Sequence, residues 1–350
     1  MNSKLLQLLV ATASLIAAGL YLAGCKSQAV QVNPGQLEMF KPLTAAVASE
    51  KNPITEAKVN LGRMLYYETR LSRSQDISCN TCHDLAKYGV DGERVSDGFK
   101  GQKGTRNAPT VYNAAGHFVQ FWDGRAADVE EQAKGPILNP VEMAMASEKE
   151  IVATLKSMPE YVDAFQKAYP DEKEPVTFEN AARAIGAFER KLITPSRWDK
   201  FLDGDQAALT DAEKAGFNKY MAAGCQACHA GAYMGGEVYQ RLGAMVPYPD
   251  TTDPGRAAIT KQDADRMFFK VPSLRNIEKT GPYFHNGRVG TLEDAVKDMG
   301  QYQLGKQLSP NEVSSIVVFL RTLTGEIPAE YVKPPQLPKS TAKTPKPSRT

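Results

Sequence analysis

Apolar side chains recur at helical spacing along two stretches of this chain. They stand three or four residues apart in the segment 178–192, and a similar spacing follows Pro310. Residues at this spacing share one face of an α-helix, so each stretch predicts a helix with one buried side. The positions expected to be buried are Ala182, Ile185, Phe188 and Leu192 in the first helix, and Val313, Ile316, Val317 and Leu320 in the second.

The starts of three helices are marked by a hydroxyl residue followed three positions later by Glu. This spacing is typical of a capping box, in which each side chain binds the backbone of the other residue. The pairs are Ser147 and Glu150, Thr210 and Glu213, and Ser309 and Glu312. Alternation of the strand type is scarce, and the segments 91–109 and 243–254 are rich in Gly and Pro. We therefore predict a mainly α fold with long ordered loops.

An apolar run near the start of the chain predicts export. Residues 1–24 begin with the basic Lys4 and end in Leu22-Ala23-Gly24, which is the pattern of a secretory signal. Followed by Cys25, this ending resembles a bacterial lipobox, which implies that Cys25 is lipidated. The alternative is an uncleaved transmembrane anchor, because the run is long enough to span a bilayer. An Asp directly after the lipidated Cys would retain the protein at the inner membrane. The residue at this position is Lys26, which indicates an outer-membrane anchor facing the periplasm.

Charge is informative mainly at the far end of the chain. The formal net charge is +2, yet the tail 333–350 carries five basic residues and no acid, which leaves the rest weakly acidic. The tail is rich in Pro, Ser and Thr, so we predict a disordered basic extension. Residues 25–40 read as a polar linker between the anchor and the fold. No basic stripe interleaved with aromatic residues occurs, so we expect no nucleic-acid partner.

Two short motifs indicate the chemistry. They are Cys79-Asn80-Thr81-Cys82-His83 and Cys225-Gln226-Ala227-Cys228-His229, and they use four of the five cysteines and two of the four histidines. C-x-x-C-H is the attachment signature of a c-type haem, in which the two thiols bind the porphyrin covalently and the His binds the iron. The alternatives are a structural zinc site or disulfides. The repetition favours two covalent c-type haems.

The distance between the motifs allows one domain for each haem. A minimal cytochrome c fold needs roughly a hundred residues, and domains of that size are common. We place the boundary at Thr194-Pro195-Ser196, just after the helix predicted in 178–192. The predicted division is a first haem domain over 41–194 and a second over 195–332.

The sixth ligand of each iron decides what each haem does. A sulfur or nitrogen ligand gives an electron carrier, whereas an open position allows chemistry on peroxide or O₂. For the second haem the best candidate is Met299, which lies downstream of His229 and shortly before the last long helix, although Met residues are more often core filler. For the first haem no His or Met occurs between His83 and His117. An open position is the simplest interpretation.

Several dispersed motifs closely resemble the bacterial di-haem cytochrome c peroxidases, over roughly residues 40–330. The motifs are Arg106-Asn107-Ala108-Pro109-Thr110, Gln120-Phe121-Trp122-Asp123-Gly124-Arg125-Ala126, Glu131-Gln132-Ala133-Lys134-Gly135-Pro136, Asn139-Pro140-Val141-Glu142-Met143, Gly281-Pro282-Tyr283-Phe284-His285-Asn286-Gly287 and Met299-Gly300-Gln301-Tyr302-Gln303-Leu304-Gly305. The resemblance implies a low-potential peroxidatic haem at His83 and a high-potential haem at His229 and Met299, through which electrons enter.

The resemblance also implies roles for the residues between the haems. Glu142 would be the distal acid–base group, with Gln132 beside it in the peroxide pocket, and Trp122 would relay electrons. Apart from the resemblance, Glu142 could be an ordinary surface carboxylate and Trp122 a core residue. Asn107, with the backbone carbonyls of Thr280 and Pro282, matches the family's calcium site, which joins the two domains; oxygen ligands suit calcium.

One position departs from the family pattern. Many members carry a distal His before the Arg106-Asn107 pair, and this His blocks the peroxidatic iron until the other haem is reduced. The corresponding loop here reads Ser96-Asp97-Gly98-Phe99-Lys100-Gly101, with Phe99 where the His would be. We therefore expect a first haem that needs no reductive activation, with His117 as the alternative ligand. His285 is expected to have a structural role or to bind a haem propionate.

The resemblance implies a peroxidase that reduces hydrogen peroxide to water. The electrons would come from a small periplasmic protein, a cytochrome c or a cupredoxin, and family members are commonly homodimers. Two other functions stay open. A non-enzymatic di-haem electron carrier would need both irons six-coordinate, and a MauG-type enzyme would oxidise Trp residues of a partner protein. The MauG subgroup has Tyr in place of the axial Met, so Met299 favours the peroxidase.

Overall fold

The structure, a computed structural model, describes residues 29–348 of the chain. The predicted signal peptide of residues 1–24 and the predicted lipid attachment at Cys25 lie outside this part. Among the residues that are described, no helix is both long enough and apolar enough to cross a membrane.

Helices account for the regular structure up to residue 194. Short 3₁₀ turns separate some of them, at Thr69–Leu71, Leu85–Lys87, Phe99–Gly101 and Ala114–Gly116. The α-helices are α1 (Pro34–Leu37), α2 (Glu56–Tyr66), α3 (Cys79–Cys82), α4 (Val129–Leu138), α5 (Glu148–Lys156), α6 (Pro159–Ala168) and α7 (Phe178–Glu189).

The rest of the chain adds further helices and one small hairpin-like pair of strands. The helices are α8 (Arg197–Leu202), α9 (Asp211–Ala223), α10 (Ala257–Thr260), α11 (Leu292–Asp298), α12 (Pro310–Leu320) and α13 (Ala329–Val332). Strand β1 (Tyr239–Arg241) pairs antiparallel with β2 (Phe268–Lys270), with Gln240 opposite Phe269. A π-helical turn, Met299–Gln303, continues α11. The remaining 3₁₀ turns are Gln206–Ala208, Cys225–Ala227, Asp263–Asp265, Ile277–Lys279 and Arg321–Leu323.

The predicted helix starts are confirmed, with one local difference. Thr210 with Glu213, and Ser309 with Glu312, form reciprocal capping boxes at α9 and α12. At α5 the Ser147 hydroxyl accepts from the Glu150 N–H, but the Glu150 carboxylate accepts from the N–H of Ala146 instead of Ser147. All eight side chains predicted to be buried on the two apolar faces are buried. The mainly α prediction is therefore confirmed for the described chain.

Helices α2 and α7 cross closely at Gly62. A Cβ atom at this position would lie 1.9 Å from the carbonyl oxygen of Ala184 and 2.9 Å from Cβ of Phe188. Only a residue without a side chain therefore allows this approach. The first hydrophobic core forms around the crossing, with buried members between residues 59 and 192 and a single later member, Val332.

Helices α9 and α12 repeat the same arrangement at Gly216. A Cβ atom there would lie 2.2 Å from the carbonyl oxygen of Ser315 and 3.0 Å from Cβ of Phe319. The second core consists of Phe40 and buried side chains between residues 198 and 323. Each core is thus built on a helix pair that meets at a glycine, a repeat that the sequence did not reveal.

Substituting Gly62 with Ala is expected to destabilise the protein. The new methyl group would meet backbone that cannot move aside, and overpacking of this kind costs about 1–3 kcal/mol, which exceeds the helix-propensity gain of about 1 kcal/mol. Urea unfolding of the G62A variant should show this loss. G290A is the matched control, because a Cβ at Gly290 meets no atom within 4 Å. Equal stability of the two variants would contradict the close crossing.

From Val32 onward the chain forms one compact unit. A third, smaller cluster of Tyr248, Met267 and Phe269 packs against Trp122, so side chains from both halves of the chain meet there. The boundary between 41–194 and 195–332 stays a prediction. It is supported by the two cores, which divide near residue 195 except for Phe40 in the second core and Val332 in the first.

The C-terminal tail differs from the predicted disordered extension. Arg70 donates to the carbonyl of Pro338 over 2.9 Å, and Gln75 donates to the carbonyl of Pro345 over 2.9 Å. Thr344 is buried, and its hydroxyl lies 2.9 Å from that of Ser157. The tail follows the surface of the first core through these hydrogen bonds, and Pro338 is buried there as well. The composition of the tail does not predict these hydrogen-bonding partners, which lie far away in the sequence.

Candidate active site

One large cavity brings the predicted site residues together. Its volume is about 1000 Å³, and its lining combines residues of both halves of the chain. The predicted site residues among those that line it are Cys79, Cys82, His83, Asn107, Trp122, Gln132, Glu142, Cys228, Thr280, Pro282 and Met299. Residues more than 200 positions apart in the sequence therefore face a common space.

The first motif presents a histidine suited to bind a metal. Helix α3 is held by a capping box between Ser78 and Thr81, and it places His83 at its end. The His83 Nδ1 lies 3.3 Å from the carbonyl of Gly89, and the Tyr66 hydroxyl donates to the His83 carbonyl over 2.8 Å. Burial lowers the pKa of His83. A neutral imidazole whose Nδ1 is already bound leaves Nε2 as the ligand atom.

The second motif has the same local arrangement. Cys225–Ala227 forms a 3₁₀ turn after Gly224, whose φ of 100° requires glycine. The His229 Nδ1 lies 3.2 Å from the carbonyl of Met234, and the Tyr220 hydroxyl donates to the His229 carbonyl. Burial lowers the pKa of His229 to about 4. Both motif histidines are therefore oriented by a backbone carbonyl and supported by a buried tyrosine.

These donor sets fit haem better than the two alternatives. The four motif cysteines are free thiols, so the motifs are not disulfides. Across residues 29–348, no three His, Cys, Asp or Glu side chains gather as a metal cluster, which a structural zinc site would need. The first motif presents two thiols and a histidine to the largely apolar cavity, and the second presents Cys228, while Cys225 and His229 lie outside the lining. Two thiols and one histidine in each motif match the needs of a c-type haem.

Glu142 and Gln132 lie on neighbouring segments of the cavity wall. Helix α4 carries Gln132, and Asn139, directly after this helix, donates to the Glu142 carboxylate over 2.8 Å. Burial raises the pKa of Glu142, partly offset by the charge of Arg125 and the bond from Asn139. A carboxyl group whose pKa is raised toward neutrality can both take up and release a proton. Glu142 is half-buried, so it is not a fully solvated surface carboxylate.

Arg125 and Asn139 act on the Glu142 carboxylate, and the sequence motifs alone gave neither of them a role. The Arg125 guanidinium stacks 3.5 Å from the ring centroid of Phe121, and its charge acts on Glu142. Both residues stand inside motifs that carry the family resemblance. Their closeness to Trp122 and Glu142 in those motifs was the available signal, but it does not say which neighbours face the carboxylate.

Trp122 is held at the junction of the two halves. Its indole N–H donates to the carbonyl of Asn107 over 2.9 Å, and its own carbonyl accepts from the Lys270 N–H over 2.8 Å. Its ring packs edge-on against His285, with the ring centroids 6.4 Å apart. Trp122 therefore has fixed partners from both sides of residue 195 while facing the cavity.

Met299 stands where helix α11 passes into the π-helical turn. It lines the cavity, as does Gln303 at the other end of that turn. The widened turn and the tight loop after it, in which the Lys306 N–H donates to the carbonyl of Gly300 over 2.8 Å, give this segment a defined shape. The thioether thus belongs to the cavity wall rather than to either large core.

Asn107, Thr280 and Pro282 all line the cavity beside Trp122. The Asn107 side chain donates from Nδ2 to the carbonyl of Glu93 over 3.0 Å. This bond orients the amide and leaves Oδ1 as an oxygen donor. Carbonyl and amide oxygens are the ligands that a hard cation such as calcium prefers.

Phe99 does not face the large cavity. Its neighbours Asp97 and Gly98 line that cavity, whereas Phe99 lines a separate one with Ser74 and Asp76. The Phe99 N–H donates to the carbonyl of Glu142 over 2.8 Å. The loop therefore supports the segment that carries Glu142, and residues 96–101 contain no His or Met that could bind iron there.

The two remaining histidines have separate surroundings. His117 lies 3.2 Å from Lys270 through its Nδ1 and packs edge-on against Tyr233, so its neighbours follow the second motif. His285 is buried and stacks on Phe269 with ring centroids 4.3 Å apart. Both line the cavity, and neither has a described contact with the first motif.

Comparison with known proteins identifies the family. The chain is 48% identical over 318 residues to the cytochrome c551 peroxidase of Pseudomonas aeruginosa, which covers 89% of this chain and 90% of that protein. This chain belongs to the di-haem cytochrome c peroxidase family. The family model described as di-haem cytochrome c peroxidase matches residues 56–207. Membership implies two haems, as the paired motifs predicted.

More distant relatives of this family member include MauG proteins. The methylamine utilization protein MauG of Methylorubrum extorquens is 35% identical over 300 residues, covering 82% of this chain and 83% of that protein. The crystal structure of a MauG-like protein associated with microbial copper homeostasis superposes with a TM-score of 0.75 at 30% identity, covering 84% of this chain and 97% of that one. The fold is thus shared across peroxidases and MauG-like proteins.

Proposed function

We propose that this protein reduces hydrogen peroxide to water with electrons from a small donor protein. The observation that supports the proposal is the large cavity, which is lined by the first C-x-x-C-H motif, Cys228 of the second, the Glu142–Gln132 pair and Trp122. Electrons enter at the site of His229 and Met299 and pass Trp122 toward the site of His83. The overall reaction takes up two electrons and two protons for each peroxide and releases two waters.

Each motif would hold one haem through its two thiols and its histidine. When bound, a haem with a free iron position supplies peroxide binding and electron transfer, and a haem ligated on both sides supplies electron transfer alone. The first site offers His83 and no second His or Met from the Phe99 loop. The second site offers His229 and Met299. This asymmetry assigns peroxide chemistry to the first site and electron entry to the second.

Glu142 moves the proton on which O–O cleavage depends. It takes a proton from one peroxide oxygen and delivers it to the other, so that the bond breaks with water as the leaving group. The pKa of Glu142, raised by burial, suits this exchange. The Gln132 amide is neutral and can hydrogen-bond peroxide without competing for the proton, and Arg125 supplies positive charge nearby.

Calcium would link the two halves of the chain at Trp122. The Asn107 amide oxygen belongs to the first half, and the carbonyls of Thr280 and Pro282 belong to the second. The backbone carbonyl of Asn107 also accepts a hydrogen bond from the indole N–H of Trp122. A cation bound at Asn107 would therefore help to fix the position of Trp122 between the two haem sites. We infer this site from the donor atoms and from the family resemblance.

The cellular setting follows from the covalent haems and the N-terminal segment. We propose a periplasmic protein with a lipid on Cys25 that anchors it to the outer membrane, working as a homodimer as family members commonly do. The donor is a small cytochrome c or cupredoxin. The name of the P. aeruginosa relative, a cytochrome c551 peroxidase, supports a cytochrome donor.

The similarity to MauG proteins gives a second candidate function. It predicts oxidation of a partner protein and Tyr in place of the axial Met. Met299 in the cavity wall favours the peroxidase. A non-enzymatic carrier would need a sixth ligand for the first haem, and the Phe99 loop contributes none.

Turnover from the fully oxidised state is the direct test. We expect peroxide reduction with a reduced cytochrome c donor to begin at full rate without a preceding reduction of one haem, because Phe99 replaces the blocking His. Rapid-mixing assays should compare oxidised protein with protein pre-reduced at one haem. Activity only after pre-reduction would reveal a ligand on the first iron. No activity in either state would overturn the peroxidase proposal.

A further inference from the structure

Lys270 is a buried lysine that pairs with no carboxylate of residues 29–348. It ends strand β2 and is only 7% exposed. In the described chain, the hydrogen-bonding partner of its Nζ is Nδ1 of His117, at 3.2 Å. An ammonium group taken out of water costs several kcal/mol unless it is paired with an anion. The protein part of this site therefore leaves a positive charge uncompensated.

The geometry of the pair also leaves a second donor unused. Because Nδ1 of His117 accepts from Lys270, the imidazole carries its proton on Nε2. That Nε2 is buried and has no hydrogen-bond partner among the described residues. Burial, together with the charge of Lys270, holds the pKa of His117 well below its usual range, so the ring is neutral. Two adjacent groups thus offer N–H donors with no acceptor.

Both side chains stand in the wall of the second haem site. The edge of the His117 ring lies against Gly236, where a Cβ would come within 2.3 Å of Cδ2. Gly236 in turn donates to the carbonyl of Val271 over 2.8 Å, next to Lys270. His117, Lys270 and Cys228 line the same cavity. Residues of the first motif line this cavity too, but the ring that packs on His117 is that of Tyr233, four residues after His229. We therefore assign the pair to the second motif.

A carboxylate is the ligand that fits two N–H donors and one positive charge. Haem carries propionate carboxylates at one edge, and the haem of the second site would bring them into this cavity. Ionised acceptors form shorter and stronger hydrogen bonds with such donors than neutral ones do. No other anion is needed to explain the pair.

We propose that Lys270 and His117 together bind a propionate of the second haem. The proposal rests on the haem placement given under the proposed function. Lys270 is then a positioning residue, because its backbone N–H also holds the carbonyl of Trp122. One residue would fix the haem edge and the electron relay relative to each other. Its positive charge would also stabilise the reduced iron and raise the potential of that haem.

The test is the reduction potential of each haem in variants that retain both haems. In K270M the potential of the second haem should shift to a lower value, while that of the first haem changes little. K270R keeps the charge and should restore most of the wild-type potential. K261M is the control, because Lys261 is an exposed lysine whose ammonium group donates to the backbone carbonyl of Ala258. Spectroelectrochemical titration and the pyridine haemochrome content measure these outcomes without an activity assay.

A second variant keeps the test independent of folding in K270M. H117Q leaves Lys270 in place and should lower the same potential by less. If K270M loses a haem, H117Q and K270R decide the question. Unchanged potentials in the haem-replete variants, or a shift confined to the first haem, would overturn the proposal. Failure of peroxide turnover in the wild-type protein would instead remove the proposed function and leave these potentials as a separate result.

Discussion

Replacing Glu142 with Gln should lower peroxide turnover by about 10²- to 10⁴-fold, the usual contribution of a general acid–base group. Gln keeps the size of the side chain and can still hydrogen-bond the Asn139 amide, but it cannot accept and release a proton. Haem content and the spectra of both haems should stay as in the wild type. Steady-state turnover with a reduced cytochrome c donor measures the effect.

Glu174 provides the matched control for this variant. It is an exposed carboxylate paired with Lys156, with 80% of its side chain in solvent, and E174Q should turn over normally. A loss in E142Q that comes with a missing haem would indicate a structural defect. Near-normal turnover in E142Q with both haems bound would remove Glu142 from the mechanism and leave the peroxide proton without an identified carrier.

Replacing Met299 with Leu should sharply lower the reduction potential of the second haem. Leu keeps the apolar volume but offers no sulfur, and a thioether ligand stabilises the reduced iron. Since the axial ligand helps to set haem potentials over about 0.8 V, we expect a fall on the order of 0.1 V or more. Electron entry from the donor would then become unfavourable, and donor-driven turnover should fall as well.

Met245 is the control for the Met299 variant. It packs near the same segment, beside Gly305, but is 67% exposed. M245L should therefore leave both potentials unchanged. If M299L also keeps the wild-type potential and spectrum, Met299 is not an iron ligand, and another side chain of the cavity wall must occupy that position.

The parts of the fold that could be predicted depend on short stretches of sequence. Helical periodicity and capping pairs act within a few residues, so the starts of α5, α7, α9 and α12 were predicted correctly. The haem motifs are equally local. The crossings at Gly62 and Gly216 were not predicted. Glycine is needed at these positions because of the opposing helix, which the local sequence does not identify.

The candidate site divides in the same way. Glu142, Gln132 and Trp122 were recognised from motifs, whereas the Lys270–His117 pair joins residues 153 positions apart and has no local signature. The tail was misread for a related reason. Its composition is that of a disordered segment, and its partners, such as Arg70 and Gln75, lie about 270 positions earlier in the chain.

The packing of α13 and the tail has a consequence for the order in which the protein is assembled. Val332 belongs to the first core, and Tyr331 stacks on Phe188 with ring centroids 5.1 Å apart. In a chain synthesised from its N-terminus these contacts form late, because residues distant in sequence can meet only after the intervening chain has been made. The first core therefore takes up its last members only after the second C-x-x-C-H motif has been synthesised.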